Sequence, residues 1–223
     1  MHRVSKLFTA LTFAAAIGGA SVPASADQSS LLASADSTVR DMRSDPTFGP
    51  SQDLLRRARA VLIVPHLLKG GFIFGAEGGD GVLLARTHHG WSDPAFYSLG
   101  SASFGLQIGL EQAQLVMIIM TDRALRAVES SKFKFGADAG LTVITLGAGA
   151  GAATSGNFSG DIILWSKAQG AYGGITLNGS VIAPEDDTNA DFYGHSVTVP
   201  QILSGGPKNP AAAPLRANLM SAF

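Results

Sequence analysis

The sequence predicts a domain of the α+β class. Its centre is a curved, mainly antiparallel, glycine-rich sheet, accompanied by N-terminal helices and one inserted helix. The sequence does not decide whether this sheet closes into a barrel. Apolar residues recur at helical spacing before residue 60, and from Gly70 onward they alternate with polar or small residues, as in half-buried strands. The chain also has 27 glycines, many inside strand-like segments, where they favour bends and bulges.

Two helices are predicted first. Over Asp27–Asp45 an apolar stripe covers an arc of about 100°. The stripe consists of Leu31, Leu32, Ala35, Val39 and Met42. A second helix begins at Ser51, a favourable N-cap, with Asp53 in its first turn. A strand follows near Val61–Val64, where β-branched residues precede Pro65.

The rest of the chain is mostly strand. The predicted strands lie near Ala95–Gly109, Gln114–Met120, Lys132–Leu146, Asp161–Ser166, Gly170–Leu177 and Val197–Leu203. Between them we predict one helix, Thr121–Ser131, with Thr121 as its N-cap. The tail over 205–223 is rich in proline and alanine, and it is expected to be loosely ordered.

Residues 1–26 have the pattern of a signal peptide. A basic start with Arg3 and Lys6 precedes the apolar run Leu7–Ala20, and Ala24–Ala26 supplies the small residues of a cleavage site. We therefore expect export to the periplasm or the cell exterior, where the protein can also lie peripherally on a membrane. The expected folded domain covers residues 27–204. With no cysteine in the chain, neither disulfides nor lipid attachment through an N-terminal cysteine can contribute.

The composition and motifs point away from several functions. The net charge of −1 does not suit a nucleic-acid partner, which needs a concentrated basic surface. The chain has no G-x-S-x-G motif, and the glycine run at 147–151 lacks the spacing of a dinucleotide fingerprint. His88 and His89 fit a solvated turn better than a metal site, because adjacent strand residues face opposite sides. We expect no catalytic residues, no cofactor and no metal site.

Two further features have two interpretations each. Glu111 lies in an apolar strand, so it either forms a structural ion pair with a partner such as Arg86 or has a functional role. The aromatic residues Trp91, Phe96 and Tyr97 are either core residues or an amphipathic group at a lipid interface.

An ordered series of glycine-spaced elements runs through most of the chain. Its segments are Ala60–Tyr97, Gly100–Gln112, Ile118–Thr121, Phe135–Ala139, Gly170–Ser180, Phe192–Gly194 and Ile202–Leu203. The second contains Gln107, Gly109 and Glu111 at the places of a G-x-Q-x-G-x-E strand. This series resembles the SYLF family, a lipid-binding domain of eukaryotic actin-patch proteins and of exported bacterial proteins. The resemblance implies a non-enzymatic domain that binds anionic phospholipid, including phosphoinositide-type lipid, at the cell envelope.

The densest basic set supplies candidate lipid-binding residues. They are Arg56, Arg57, Arg59 and Lys69. Each basic side chain near an anionic surface contributes roughly 1 kcal/mol if the set converges, while apolar edges of the glycine-rich hairpins would contact acyl chains. The alternative is an ordinary solvated helix face.

The alternative function is a structural or protein-interaction module of the envelope that has no lipid affinity. Actin, a partner of eukaryotic SYLF proteins, is not expected to meet an exported chain. The partners predicted are thus anionic membrane lipids or an envelope protein.

Overall fold

A single sheet of nine strands organises the part of the chain that the computed structural model describes. The described residues are 24–46, 48, 52–71, 74–104, 109–130, 132–135, 140–146, 160–169, 177 and 179–221. The strands are β1 (Ala60–Gly71), β2 (Phe74–Thr87), β3 (Gly90–Trp91), β4 (Ala95–Phe104), β5 (Gly109–Ile119), β6 (Phe133–Lys134), β7 (Val143–Leu146), β8 (Ile162–Gln169) and β9 (Val181–Pro184). The helices are α1 (Ala24–Ser44), α2 (Gln52–Arg57), α3 (Asp122–Glu129), α4 (Asp186–Tyr193), α5 (Val199–Leu203) and α6 (Ala213–Met220).

The sheet is antiparallel except at one edge. Its strand order is β6-β9-β4-β2-β1-β5-β8-β7, with β3 paired to β2, and only β7 and β8 run parallel. It curls into a half-barrel, and within the described residues the end strands β6 and β7 do not pair with each other. The predicted fold class and curvature are confirmed.

Both faces of the sheet are covered. Along β1, Ala60 and Leu62 belong to one core, and Val61 and Ile63 belong to the other. Helices α3 and α5 contribute to the first core, whereas α1, α2, α4 and α6 contribute to the second. Coverage on both sides explains why this strand is continuously apolar instead of alternating.

A register shift bends β1 in its middle, between Ile63 and Leu68. The neighbouring strand β2 has glycine where it passes this bend. A Cβ on Gly79 would lie 2.5 Å from the carbonyl oxygen of His66, and one on Gly81 would lie 2.7 Å from that of Ile63. Only glycine allows the two backbones to approach so closely, which is how the strand glycines permit the curvature.

The predicted helices are present. Helix α1 begins three residues before the predicted Asp27, and α2 follows it. Thr121 is the N-cap of the inserted helix α3, and its hydroxyl accepts a hydrogen bond from the amide of Ala124 at 3.2 Å. The part of the predicted signal peptide over residues 1–23 lies outside the described residues, and its cleavage stays a prediction. No helix among the described residues combines the length and the apolar character needed to cross a bilayer.

Two predictions about the second half were wrong or incomplete, and one helix was missed. The segment Val197–Leu203 was predicted as a strand but contains helix α5, because Thr198 and Gln201 form a capping box and Pro200 fits the first helical turn. In the described part of Lys132–Leu146 there are two short strands, β6 and β7, and the described residues 135 and 140–142 between them are not strand. Helix α4 was not predicted. The predicted strand Gly170–Leu177 lies outside the described residues except for Leu177.

The prediction of a loosely ordered tail was also wrong. Residues 210–212 form a 3-10 turn that leads into α6, and Leu215 and Leu219 of this helix are 1% and 0% exposed. The prolines start these turns instead of preventing order, since proline suits the first position of a helix. The tail therefore closes the core against α1.

Polar contacts of two residues, Arg216 and Asn218, fix α6 in place. The buried carboxylate of Asp93 pairs with Arg216 at 3.0 Å. The side chain of Asn218 donates hydrogen bonds to the backbone oxygen and the carboxylate of Asp36, at 2.9 and 2.8 Å. Helix α6 is thus held to the segment before β4 through Asp93 and to α1 through Asp36, although these residues are far apart in the sequence.

Asp161 joins three parts of the fold at the start of α3. Its carboxylate accepts hydrogen bonds from the Thr121 hydroxyl at 2.7 Å, the Arg123 guanidinium at 2.7 Å and the Thr142 amide at 3.0 Å. The hydrogen bond from the Thr142 amide is the main reason that the pKa of Asp161 is lowered; Thr121 and Arg123 add to it, while burial opposes it. The ionised form is therefore favoured in the folded state.

We expect Asp161→Asn to lower the free energy of unfolding by roughly 1.5–3 kcal/mol at pH 7. Because the folded-state pKa is depressed, this stabilisation is complete above the unfolded value of about 3.9 and disappears as the pH falls through the folded value. The difference between wild type and variant, measured by urea unfolding, should narrow below about pH 4. The exposed Asp191→Asn is the control and should change stability by less than about 0.5 kcal/mol. A difference that stays constant down to pH 2 would contradict this role of the carboxylate.

Candidate functional site

Three exposed arginines gather where α2 ends and β1 begins. We call Arg56, Arg57 and Arg59 the arginine corner. Helix α2 is anchored by Leu54 and Leu55, which are 1% and 0% exposed, so the side chains on its other face remain in solvent. The structure thereby brings together three of the four residues predicted to bind lipid.

Acidic neighbours partly neutralise the corner. Arg56 pairs with Asp53 one turn earlier in α2, and Arg59 pairs with Asp122 at 3.2 Å. Both pairs are about half exposed, with arginine side chains at 54% and 55%, so each contributes little to stability and can rearrange. Arg57 is exposed and forms no ion pair within the described part of the chain. It is the cation of the corner most available to an external anion.

Helix α3 adds a basic residue beside the corner that the sequence analysis missed. Arg126 follows Asp122 by one helical turn, and Asp122 pairs with Arg59, so Arg126 extends the basic surface along α3. Its charge also acts on Glu129, whose pKa is raised by burial and lowered in part by Arg126. The i, i+4 spacing from Asp122 was the available signal, but nothing in the sequence indicated that Asp122 at the start of α3 would pair with Arg59.

The fourth predicted residue is elsewhere. Lys69 lies ten positions after Arg59 along β1, which corresponds to about 30 Å of strand. Its ammonium group pairs with Glu77 at 3.2 Å, and the two side chains are only 16% and 8% exposed. The Ser180 hydroxyl donates a second hydrogen bond to Glu77 at 2.9 Å. Lys69 therefore does not converge with the arginine corner, because the sheet uses it as a largely buried structural cation.

The suggested pairing of Glu111 with Arg86 is wrong. Glu111 lies directly opposite Lys69 in the β1–β5 ladder, at the other end of the sheet from Arg86. The Arg86 guanidinium instead donates hydrogen bonds to the carbonyls of Leu55 and Ala58, and it stacks over the Trp91 ring at 4.4 Å. Two glutamates thus flank Lys69 on adjacent strands. Glu77 forms the ion pair, whereas Glu111 forms none within the described residues, and one of its carboxylate oxygens is buried without a hydrogen-bond partner.

The aromatic cluster belongs to the core. Trp91, Phe96 and Tyr97 are between 1% and 3% exposed, and the Tyr97 hydroxyl donates a hydrogen bond to the carbonyl of Val128 at 3.1 Å. Burial raises the pKa of Tyr97 above its ordinary value. Such rings cannot reach a lipid interface, so the core interpretation is confirmed for these three residues.

Comparison with known proteins places this site in a family. A model of the Ysc84 family, described as a Las17-binding protein and actin regulator, matches residues 100–222, more than half of the chain. The chain belongs to the Ysc84 family. The domain of this family is the SYLF domain, so the resemblance seen in the sequence is confirmed. The match runs to the end of α6, in agreement with the packing of the tail.

Curated relatives of the Ysc84 family extend the match. LAS seventeen-binding protein 3 and Protein YSC84, both from Saccharomyces cerevisiae, are 32% identical to the chain and cover 77% of it. The SH3 domain-containing YSC84-like protein 1 of Mus musculus is 31% identical over 73% of the chain. The matched region spans 38–48% of these relatives, so less than half of each is represented here. The name of the first describes a binding protein, and none of the three names indicates an enzyme.

Proposed function

We propose that this SYLF domain is a non-enzymatic binding module that docks on anionic phospholipid at the surface of the cell envelope after export. The arginine corner supplies the docking surface. The observation that carries the proposal is the clustering of three exposed guanidinium groups within four consecutive positions, one of them without an ion pair in the described structure.

The electrostatics favour a peripheral and salt-sensitive attachment. Each arginine near an anionic surface contributes roughly 1 kcal/mol, so the corner contributes about 3 kcal/mol at most, reduced by Asp53 and Asp122. Guanidinium groups bind phosphate oxygens in a bidentate manner, which compensates for the partial neutralisation. An interaction of this size binds reversibly, and salt screens it within a Debye length of about 10 Å at 0.1 M.

The acyl-chain contact expected from the sequence at the glycine-rich hairpins would lie far from the arginine corner. Among the described residues near the glycine-rich hairpin, Leu68 is the most exposed large apolar one, at 56%, but it lies nine positions from Arg59, or about 30 Å along β1. A flat membrane could touch both places only if β1 lay parallel to it. Contact through the arginine corner alone is possible in more orientations of the domain on the membrane than contact through both places.

We expect the triple variant R56E/R57E/R59E to lose flotation with anionic vesicles. The protein beginning at Asp27 is mixed with phosphatidylglycerol-containing or phosphatidylcholine vesicles at low and high salt, after circular dichroism shows that it is folded. Wild type should float only with anionic vesicles at low salt, because charge drives the contact. The variant K132E/K134E/K167E, which reverses three exposed lysines elsewhere, is the matched control and should retain most of the binding. Equal flotation of both variants and wild type would exclude the corner.

A protein-interaction module is the second candidate. It is favoured by the family description as a Las17-binding protein and actin regulator, and by the name of the yeast relative LAS seventeen-binding protein 3. For an exported chain we propose an envelope protein as partner instead of actin. A folded wild type that fails to float with either vesicle under any salt condition would favour this candidate over lipid binding.

A further inference from the structure

One residue of β2, Arg86, holds the backbone that carries the arginine corner. Its guanidinium group donates hydrogen bonds to the carbonyl of Leu55 at 2.6 Å and to that of Ala58 at 3.2 Å. Its own amide donates to the carbonyl of Arg59 at 2.8 Å. A single residue therefore binds three carbonyls over positions 55–59, and all three arginines of the corner lie within this stretch.

The end of α2 needs such a partner because the helix is short. It has only six residues, and the last carbonyls of a helix have no partner within it. The helix closes on the Leu55 carbonyl with a long hydrogen bond of 3.4 Å from the Ala58 amide, whereas the bond from Arg86 to the same oxygen is 2.6 Å. A positive group at this place also suits the helix dipole. Arg86 thus supplies the stronger of these two contacts.

The guanidinium group of Arg86 is itself held in one orientation. It stacks over the ring of Trp91, with 4.4 Å between Cζ and the ring centroid. Trp91 is its direct neighbour in the β2–β3 ladder and is only 3% exposed. A planar fork that stacks on an aromatic ring can donate to two acceptors at once, which the compact ammonium group of lysine does less well. Arg86 is therefore committed to contacts inside the protein and can act on a lipid only through the corner.

We propose that Arg86 is a positioning residue of the arginine corner. It holds the backbone over positions 55–59, so that Arg57 and Arg59 present their guanidinium groups to a lipid phosphate from a fixed base. Bidentate contact between a guanidinium group and a phosphate depends on geometry as well as on charge. A surface that is ordered in advance also loses less conformational freedom when it binds. This role presupposes the docking function proposed above.

The variant R86K tests this role, because lysine keeps the positive charge and removes the two-pronged donor. Its affinity for phosphatidylglycerol-containing vesicles is measured in the flotation assay described above, with increasing amounts of lipid at low salt. We expect the affinity to fall at least about threefold, because the corner is less ordered before it binds. A surface that acts only through its net charge would bind equally well in R86K and in wild type.

The variant N189A is the control for a purely structural effect. The Asn189 side chain accepts a hydrogen bond from the Phe96 amide at 2.8 Å and donates one to the Phe96 carbonyl at 3.2 Å, between α4 and β4. Its removal destabilises the fold without touching the corner. Both R86K and N189A are expected to unfold at lower urea concentrations than wild type. Only R86K should lose affinity for the vesicles under conditions in which circular dichroism shows that both are folded.

A second variant, W91F, keeps the test decisive if R86K does not fold. It leaves Arg86 in place and offers it a smaller ring, so the affinity should fall in the same direction. The role of Arg86 is overturned, while the docking function stands, if the triple arginine variant loses flotation but every folded variant at Arg86 or Trp91 binds as tightly as N189A. If wild type and the triple variant float equally, or neither floats, the docking function fails and this role fails with it.

Discussion

Replacement of Lys69 by methionine is expected to lower the free energy of unfolding by about 3–5 kcal/mol. Methionine keeps most of the volume but leaves the carboxylate of Glu77, 8% exposed as a side chain, without its cation. Glu111 stands opposite the same position on β5, so a second acid also loses its positive neighbour. An uncompensated buried charge costs more than the pair contributed, because its hydration is not restored. Urea unfolding at pH 7 measures the loss.

The control for this change is Arg56→Met in the arginine corner. Its ion pair with Asp53 is more than half exposed, so it should cost less than about 1 kcal/mol. The double variant K69M/E77Q should recover part of the stability, because it removes one of the abandoned charges. Equal losses for K69M and R56M would mean that Lys69 is a surface cation after all, and it would return to the set of candidate lipid contacts.

The variant L215A/L219A is expected to lose at least about 4 kcal/mol of stability. Each leucine is almost completely buried between α6 and the core that α1 covers, and a buried Leu→Ala change costs roughly 2–5 kcal/mol through lost burial and the cavity left behind. The two sites are neighbours on one helix, so their effects need not add. Chemical denaturation with fluorescence of the two tryptophans as the signal measures the change.

Met220→Ala is the matched control for α6. The side chain of Met220 is 43% exposed, so its removal should cost less than about 1 kcal/mol. A double variant as stable as this control would show that α6 does not contribute to the core and that the stable domain ends near residue 204.

Local signals account for the parts of the fold that the sequence predicted. Thr121 predicts the start of α3 because its hydroxyl can accept a hydrogen bond from an amide of the first helical turn. This interaction is local and does not depend on the rest of the fold. The alternation of apolar residues with polar or small ones along β2, together with its glycines, predicted a bent sheet. These signals are also local, because they depend only on residues close together in the sequence. The arginine corner was found in part because its members are almost contiguous.

The missed features depend on long-range contacts or on signals that compete. In Val197–Leu203 the apolar residues suggested a strand. The segment forms a helix because the Thr198–Gln201 capping box and Pro200 stabilise its first turn. Lys69 looked like a surface cation until the sheet placed Glu77 and Glu111 on either side of it.

The packing of α6 on α1 also determines when the domain can finish folding. The hydrogen bonds between Asp36 and Asn218 span 182 positions, and Leu219 completes the core that begins at Leu32. During synthesis the first helix therefore emerges long before the segment that covers it exists. The part of α1 that α6 covers therefore has no cover until Leu215 and Leu219 have been added, so this core can close completely only once the domain is almost finished.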